Sequence, residues 1–168
     1  MSAEHKMAPH AGLVIGRETP DQPAIHRLLE LSDAYAASLY PAESNHLVDV
    51  ATLLQPNVVF LVARQAGAII GCGSVVLHCE EPAGAYAEIK RMYVHEHVRG
   101  LKLGRRLLEA LEAETVAAGV FVTRLETGIY NHAAIALYER LGYRKIPPFA
   151  GYWDDPLSVF YEKRLAHA

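Results

Sequence analysis

Arg99, Lys102, Arg105 and Arg106 place four cations within eight residues, where the downstream leucine spacing begins a helix. A helix N-terminus already carries about half a positive charge, so each added cation costs ~0.3–1 kcal/mol at an exposed site. A polyanionic ligand would offset that cost. Gly100 and Gly104 free the backbone to turn N–H groups toward phosphate oxygens, and the helix dipole favours the same charge. The spacing points to a phosphate cradle. The plainer alternative is a solvated helix face with Arg105 and Arg106 paired to Glu109 and Glu112. The P-loop pattern GxxxxGK[ST] is absent, which excludes a P-loop nucleotidase. Gly71-Cys72-Gly73 opens like a dinucleotide fingerprint, but Val76 stands at the third glycine position and the run lies mid-strand.

The remaining reactive residue types mostly exclude functions. Cys72 and Cys79 lie in one strand-like run, ~23 Å apart if extended, whereas a disulfide needs Cα atoms within ~7 Å. They are expected to be free thiols. His95-x-His97 is the one tempting histidine pair, but no cysteine or carboxylate joins it at zinc-like spacing, so no metal is expected. Sixteen Lys+Arg against nineteen Asp+Glu give a net charge of −3, which argues against a nucleic-acid coat. The longest mainly apolar stretch, residues 66–77, holds three glycines in twelve residues, short of the ~20 that a membrane helix needs. Residues 1–12 contain no apolar signal core, so a cytoplasmic location is expected.

The elements that must position these residues follow from periodicity. Residues 1–10 read as a disordered tail and 11–168 as one domain. Leu13–Gly16 is a short strand. Ile25, Leu28, Leu29, Ser32, Tyr35 and Leu39 follow helical spacing from Pro23 up to Pro41. A shorter helix is expected at 46–54. Strands over 58–64 and 69–78 are joined by a tight turn, and a third strand spans 86–94, with Tyr86, Glu88 and Lys90 on one face and Ala87 and Ile89 on the other. Leu103, Leu107, Leu108 and Leu111 mark an amphipathic helix ending near Gly119. A strand at 120–126, a helix at 131–141 and closing strands near 143–146 and 157–163 complete the order β-α-α-β-β-β-α-β-α-β-β. That order is an α/β fold with a mixed sheet.

The strand AEIKRMYV followed by VRGLKLGRRLL resembles motif A of the GNAT superfamily of acetyl-CoA-dependent N-acetyltransferases. Arg99 fills the first place of [QR]-x-x-G-x-[GA] and Gly104 the last, while Lys102 replaces the middle glycine and must point away or itself meet a phosphate. NHAAIALYERLGY resembles motif B, with Asn131, Ala134, Leu137, Tyr138, Gly142 and Tyr143 in the matching places. The resemblance covers about residues 58–164 and implies a GNAT-like fold with acetyl-CoA as co-substrate. It places Arg99, Gly100, Leu101, Lys102, Leu103, Gly104 and Arg105 around the pyrophosphate. It gives the main chain of Met92, Tyr93 and Val94 to the acetyl carbonyl and pantetheine, at a splayed and often bulged strand, and Asn131 to the coenzyme arm.

Acetyl transfer from a thioester to an amine needs a free amine, a polarised carbonyl and a proton for the departing thiolate. An amine with a pKa near ~10 arrives protonated, so a base must remove a proton. By resemblance Glu88 is that base and Tyr138 the acid; a strand carboxylate paired with Lys90 or Arg91 and a core tyrosine are the plainer alternatives. The acceptor side is expected around Tyr35, Tyr40 and Glu43 and an aromatic-acidic loop with Tyr152, Trp153, Asp154 and Asp155, a combination that favours a cationic amine; a solvated loop capped by a turn at Asp155-Pro156 is the plainer alternative. The expected activity is acetylation of a small amino-acid-like or polyamine-like amine. A protein N-terminus or lysine as acceptor, and a module that binds acetyl-CoA without chemistry, are the alternatives. No nucleic-acid or membrane partner is expected, and a homodimer, common in that superfamily, is compatible with the sequence.

Overall fold

The computed structural model describes residues 12–98 and 102–167; the expected tail at 1–10 and the residues Arg99, Gly100 and Leu101 lie outside them. The order is β1 (Leu13–Arg17), α1 (Pro23–Leu39), α2 (Val50–Leu53), β2 (Val58–Gln65), β3 (Ala68–His78), β4 (Tyr86–Val94), α3 (Leu103–Ala117), β5 (Val122–Gly128), α4 (His132–Arg140), β6 (Arg144–Ile146) and β7 (Ser158–Arg164). The strands form one mixed sheet, β1-β2-β3-β4-β5-β7-β6, in which only β4 and β5 pair in parallel. The helix α3 is the crossover that parallel pairing requires.

Two apolar layers cover the sheet. Leu103, Leu107, Leu108 and Leu111 of α3 pack with Leu61, Val75, Ala87, Ile89 and Leu125, joined by Tyr138 of α4. On the other face Ile25, Leu28 and Leu29 of α1 and Leu53 of α2 meet Phe60, Val62 and Cys72. Each fully buried leucine is worth roughly 1.5–3 kcal/mol. Pro23 starts α1, where its missing N–H goes unused.

The second helix is shorter than expected. Residues 46–54 do not form one helix, because the Asp49 carboxylate accepts the Thr52 N–H at 2.8 Å and caps a single turn, Val50–Leu53. The segment before it is a 3-10 turn, Ala42–Ser44, and a loop. The strand expected at 120–126 begins at Val122 and runs to Gly128, because the Val120 N–H still closes α3 on the Thr115 carbonyl at 3.1 Å.

The architecture at β4 and β5 makes the cavity. Their ladder consists of Ala87↔Thr123 and Glu88↔Arg124; beyond Glu88 the strands diverge. On its other side β4 carries a bulge. Cys72 faces Tyr93 and Ser74 faces Lys90, so Gly73 stands opposite both Arg91 and Met92. Arg91 takes φ +56 there, a left-handed conformation that costs a non-glycine residue about 1–3 kcal/mol unless its surroundings hold it. They do: its guanidinium pairs with Asp33 and donates to the Leu29 carbonyl at 3.2 Å, both on α1. Gly73 leaves room for these side chains, since a Cβ would come within 2.7 Å of the Met92 sulfur and 2.9 Å of Leu111 and force them to shift.

Candidate active site

A cavity of about 810 Å³ opens where β4 and β5 part. The first turn of α3 contributes Lys102, Leu103, Gly104 and Arg105, the splayed strand Met92, Tyr93 and Val94, and the last elements Asn131 and Tyr138. The remaining wall includes Tyr35, Tyr40, His46, Lys90 and Glu126.

At the cationic end, Lys102 is the N-cap of α3 with φ 59 and ψ 19. It stands where the motif has a glycine and adopts the backbone conformation that glycine favours. Its side chain is exposed while the residue lines the cavity. Gly104 lets α3 approach α4, since a Cβ would lie 3.2 Å from Leu137. Arg105 pairs with Glu109 at 2.8 Å while lining the cavity. Glu112 is not a partner of the arginines; it is bound by Lys163 at 2.9 Å and by the Tyr143 hydroxyl at 3.0 Å. Asn131 heads α4 without a side-chain capping bond and lines the cavity.

Tyr138 belongs to both the core and the cavity. Its ring packs against Tyr143 and Tyr161, with centroids at 5.6 and 6.4 Å. Burial, then the Glu126 charge, pushes its phenol well above the ordinary range, so it holds its proton.

Glu88 lies on the expected face of β4 but does not line the cavity. Its carboxylate is buried, accepts the Tyr152 hydroxyl proton and sits 3.2 Å from the Lys90 ammonium. The Lys90 ammonium also donates to Tyr152 and, at 3.0 Å, to the His46 carbonyl. Tyr152 is therefore committed to this pair, and neither it nor the exposed Asp154 and Trp153 reaches the cavity wall. Glu43 is exposed on the 3-10 turn and also misses the wall. Tyr35 and Tyr40 do line it, as expected.

The carboxylate that does face the cavity is Glu126, on β5. Burial raises its pKa above the ordinary carboxyl range, opposed by a hydrogen bond from the Ser158 hydroxyl at 2.7 Å and by the charges of His46 and Lys90. It in turn raises the phenols of Tyr40, Tyr138 and Tyr152, which places it among them. In sequence, Glu126 shares one face of its strand with Arg124, and nothing there marks the place where β4 and β5 part. His46, expected at the start of a helix over 46–54, sits instead in the loop before α2.

Tyr40 closes the wall from α1 to the loop after β5. Its hydroxyl accepts the Tyr130 N–H at 2.9 Å, its ring stacks on Tyr130 at 5.7 Å, and it lies flat on Gly128, where a Cβ would come within 2.0 Å of the ring. Among the described residues no cluster of three or more His, Cys, Asp or Glu is placed to hold a metal. No helix among them is long and apolar enough to cross a membrane.

A family model described as "Acetyltransferase (GNAT) family" matches residues 25–143. An IAA acetyltransferase of Azospirillum brasilense is 48% identical over 153 residues, covering 91% of this chain and 98% of that protein. A solved structure from Klebsiella pneumoniae, assigned as an acyl-CoA N-acyltransferase, superposes with a TM-score of 0.78 at 39% identity, covering 93% of this chain and 99% of that one. The PaiA N-acetyltransferase of Thermoplasma acidophilum, solved with coenzyme A, shares the fold at 17% identity, with a TM-score of 0.69 over 90% of this chain and 98% of that one.

Proposed function

The chain belongs to the GNAT family of acetyltransferases, and from that premise we propose that it transfers acetyl from acetyl-CoA to a primary amine of a small molecule, with Tyr138 as the acid and Glu126 as the anchor for the acceptor cation. One observation carries this reading: a single cavity joins the N-terminus of α3, the parted strands, a buried tyrosine and a half-buried carboxylate. The first turn of α3, with Lys102, Gly104 and Arg105, fits a pyrophosphate through helix N–H groups and charge; the main chain of Met92, Tyr93 and Val94 borders the position for the thioester. Bound acetyl-CoA supplies the activated acyl group. The chain's own residues orient the amine and hold the proton that the thiolate takes.

The acceptor end fits a cation better than an anion. The Lys90 charge is matched by Glu88 and that of Arg91 by Asp33, which leaves Glu126, held by the Ser158 hydroxyl, as the carboxylate among these groups without a salt bridge. Glu88 meets the cavity only through Lys90, so we assign it to holding Lys90. The test is thiol release from acetyl-CoA across a panel of amino acids, polyamines, aminoalkyl compounds and peptides, with IAA included because the Azospirillum relative bears that name. Amine-dependent release with small amines is expected. Tight acetyl-CoA binding without release from any acceptor would overturn the reading in favour of a binding module, and release with peptides alone would move it to a protein acceptor.

A further inference from the structure

Resting on the acetyl-transfer reading of this cavity, we infer that His46 removes the acceptor's proton and that Asp155 positions it for the task. His46 lines the cavity. Its Nε2 is buried without a hydrogen-bond partner and faces Asp155 Oδ2 at 4.0 Å, an oxygen that is likewise buried and unpartnered. The other carboxylate oxygen accepts the Leu157 N–H at 2.9 Å, which fixes the group on its loop. The Asp155 side chain is 1% exposed, and a carboxylate enclosed to that extent is costly unless a positive or polar group faces it. The imidazole is that group.

The seat of His46 is fixed from three sides. Lys90 donates to its carbonyl at 3.0 Å, Tyr152 meets its ring edge-on at 5.1 Å, and Asp155 faces Nε2. With Nε2 turned to Asp155, the ring presents its other edge to the cavity, which Glu126 also lines. A base oriented by a buried carboxylate, with its second nitrogen at the reacting group, is the arrangement that activates an attacking atom. Separations at such sites tighten when substrate binds.

In the reaction one proton of the acceptor ammonium passes to Nδ1 of His46, and Nε2–H points to Asp155. The freed nitrogen pair forms the N–C bond to the thioester carbonyl. As the C–S bond breaks, its electron pair stays on sulfur, which takes the Tyr138 hydroxyl proton. The second proton shed by the new amide nitrogen returns to the Tyr138 oxygen, and the imidazolium proton leaves to solvent.

The experiment compares two acceptors, the best amine of the panel and hydroxylamine, which arrives unprotonated. His46→Gln should lower kcat with the basic amine by ~10²–10⁴-fold, much less with hydroxylamine, and leave KM for acetyl-CoA unchanged. Asp155→Asn should lower kcat roughly tenfold or more in the parent chain yet add nothing in the His46→Gln background. For a second variant, His46→Ala, added imidazole should restore turnover of the basic amine. Equal losses with both acceptors, additive losses in the double variant, or no rescue by imidazole would each overturn the inference while leaving acetyl transfer standing. Absence of amine-dependent thiol release in the parent chain would instead remove the reading beneath it.

Discussion

A phenol whose pKa is lifted by burial stays protonated until a strong base is generated beside it, and a departing thiolate is such a base. Tyr138→Phe keeps the ring against Tyr143 and Tyr161 and removes only the proton. It should lower kcat by ~10²–10⁴-fold with little change in KM for acetyl-CoA, measured by steady-state thiol release. Glu126 carries the opposite tension. Its folded pKa is raised, so the folded state holds its proton more tightly than the unfolded chain does. Stability therefore falls as pH rises from the ordinary carboxyl pKa through the raised one. Glu126→Gln should melt higher than the parent at pH 7, with the difference vanishing at acid pH, while KM for the amine rises. A variant that melts lower at pH 7 would contradict the burial argument. At this scale Tyr138 was legible because the motif around it fixes a helical position. Glu126 and His46 were not, since a strand position and the expected start of a helix say nothing about where two neighbouring strands part.

Among the elements, α1 and the loop after β5 are joined by one residue, Tyr40 lying on Gly128. Gly128→Ala puts a methyl where the ring sits, and the ring must leave. Overpacking of this kind costs about 1–3 kcal/mol, or roughly 2–10 °C in Tm for a chain this long, and the opened wall should raise KM for the acceptor. The loss should shrink in a Tyr40→Ala background, where the methyl meets space; equal losses in both backgrounds would show that the ring is not the obstacle. Most element positions could be read from apolar spacing, because α1, α3, β2, β3 and β4 each bury a continuous face. The misjudged ones were set by single polar contacts, the Asp49 cap on α2 and the Val120 N–H closing α3. The bulge at Arg91 was expected only by resemblance, and the residue that faces it, Gly73, lies on another strand.

Across the whole molecule, stability in acid should depend on a pair far from the cavity. Arg64 holds the Glu18 carboxyl down to about 2 from an ordinary 4.5, tying the β1–α1 connection to β2. A depressed carboxyl contributes stability above its unfolded value and loses it as pH falls from about 4.5 to about 2. Glu18→Gln should therefore melt lower than the parent at neutral pH and lose less between pH 4.5 and 2, as followed by thermal denaturation at stepped pH. Parallel acid profiles would assign the pair no role in stability. The mixed sheet and its helix order were legible as a whole from the alternation of periods. What the alternation could not convey was how short the contact between two neighbouring strands would be.

That short contact divides the polypeptide. Ala87↔Thr123 and Glu88↔Arg124 are the backbone ladder between β4 and β5, and Gly119, at φ +77, turns the chain just before β5. A polypeptide cut at Gly119 gives one piece carrying β1 to α3 and another carrying β5 to β7 with α4, each with its own strand pairings intact. Their reunion would rest on side-chain packing between Leu107, Leu108, Leu111 and the Leu125–Tyr138–Tyr161 group, rather than on the sheet. The cavity lies across the same cut, so acetyl-CoA would act as a tether between the two pieces, and their reassembly would serve as a sensor of the coenzyme.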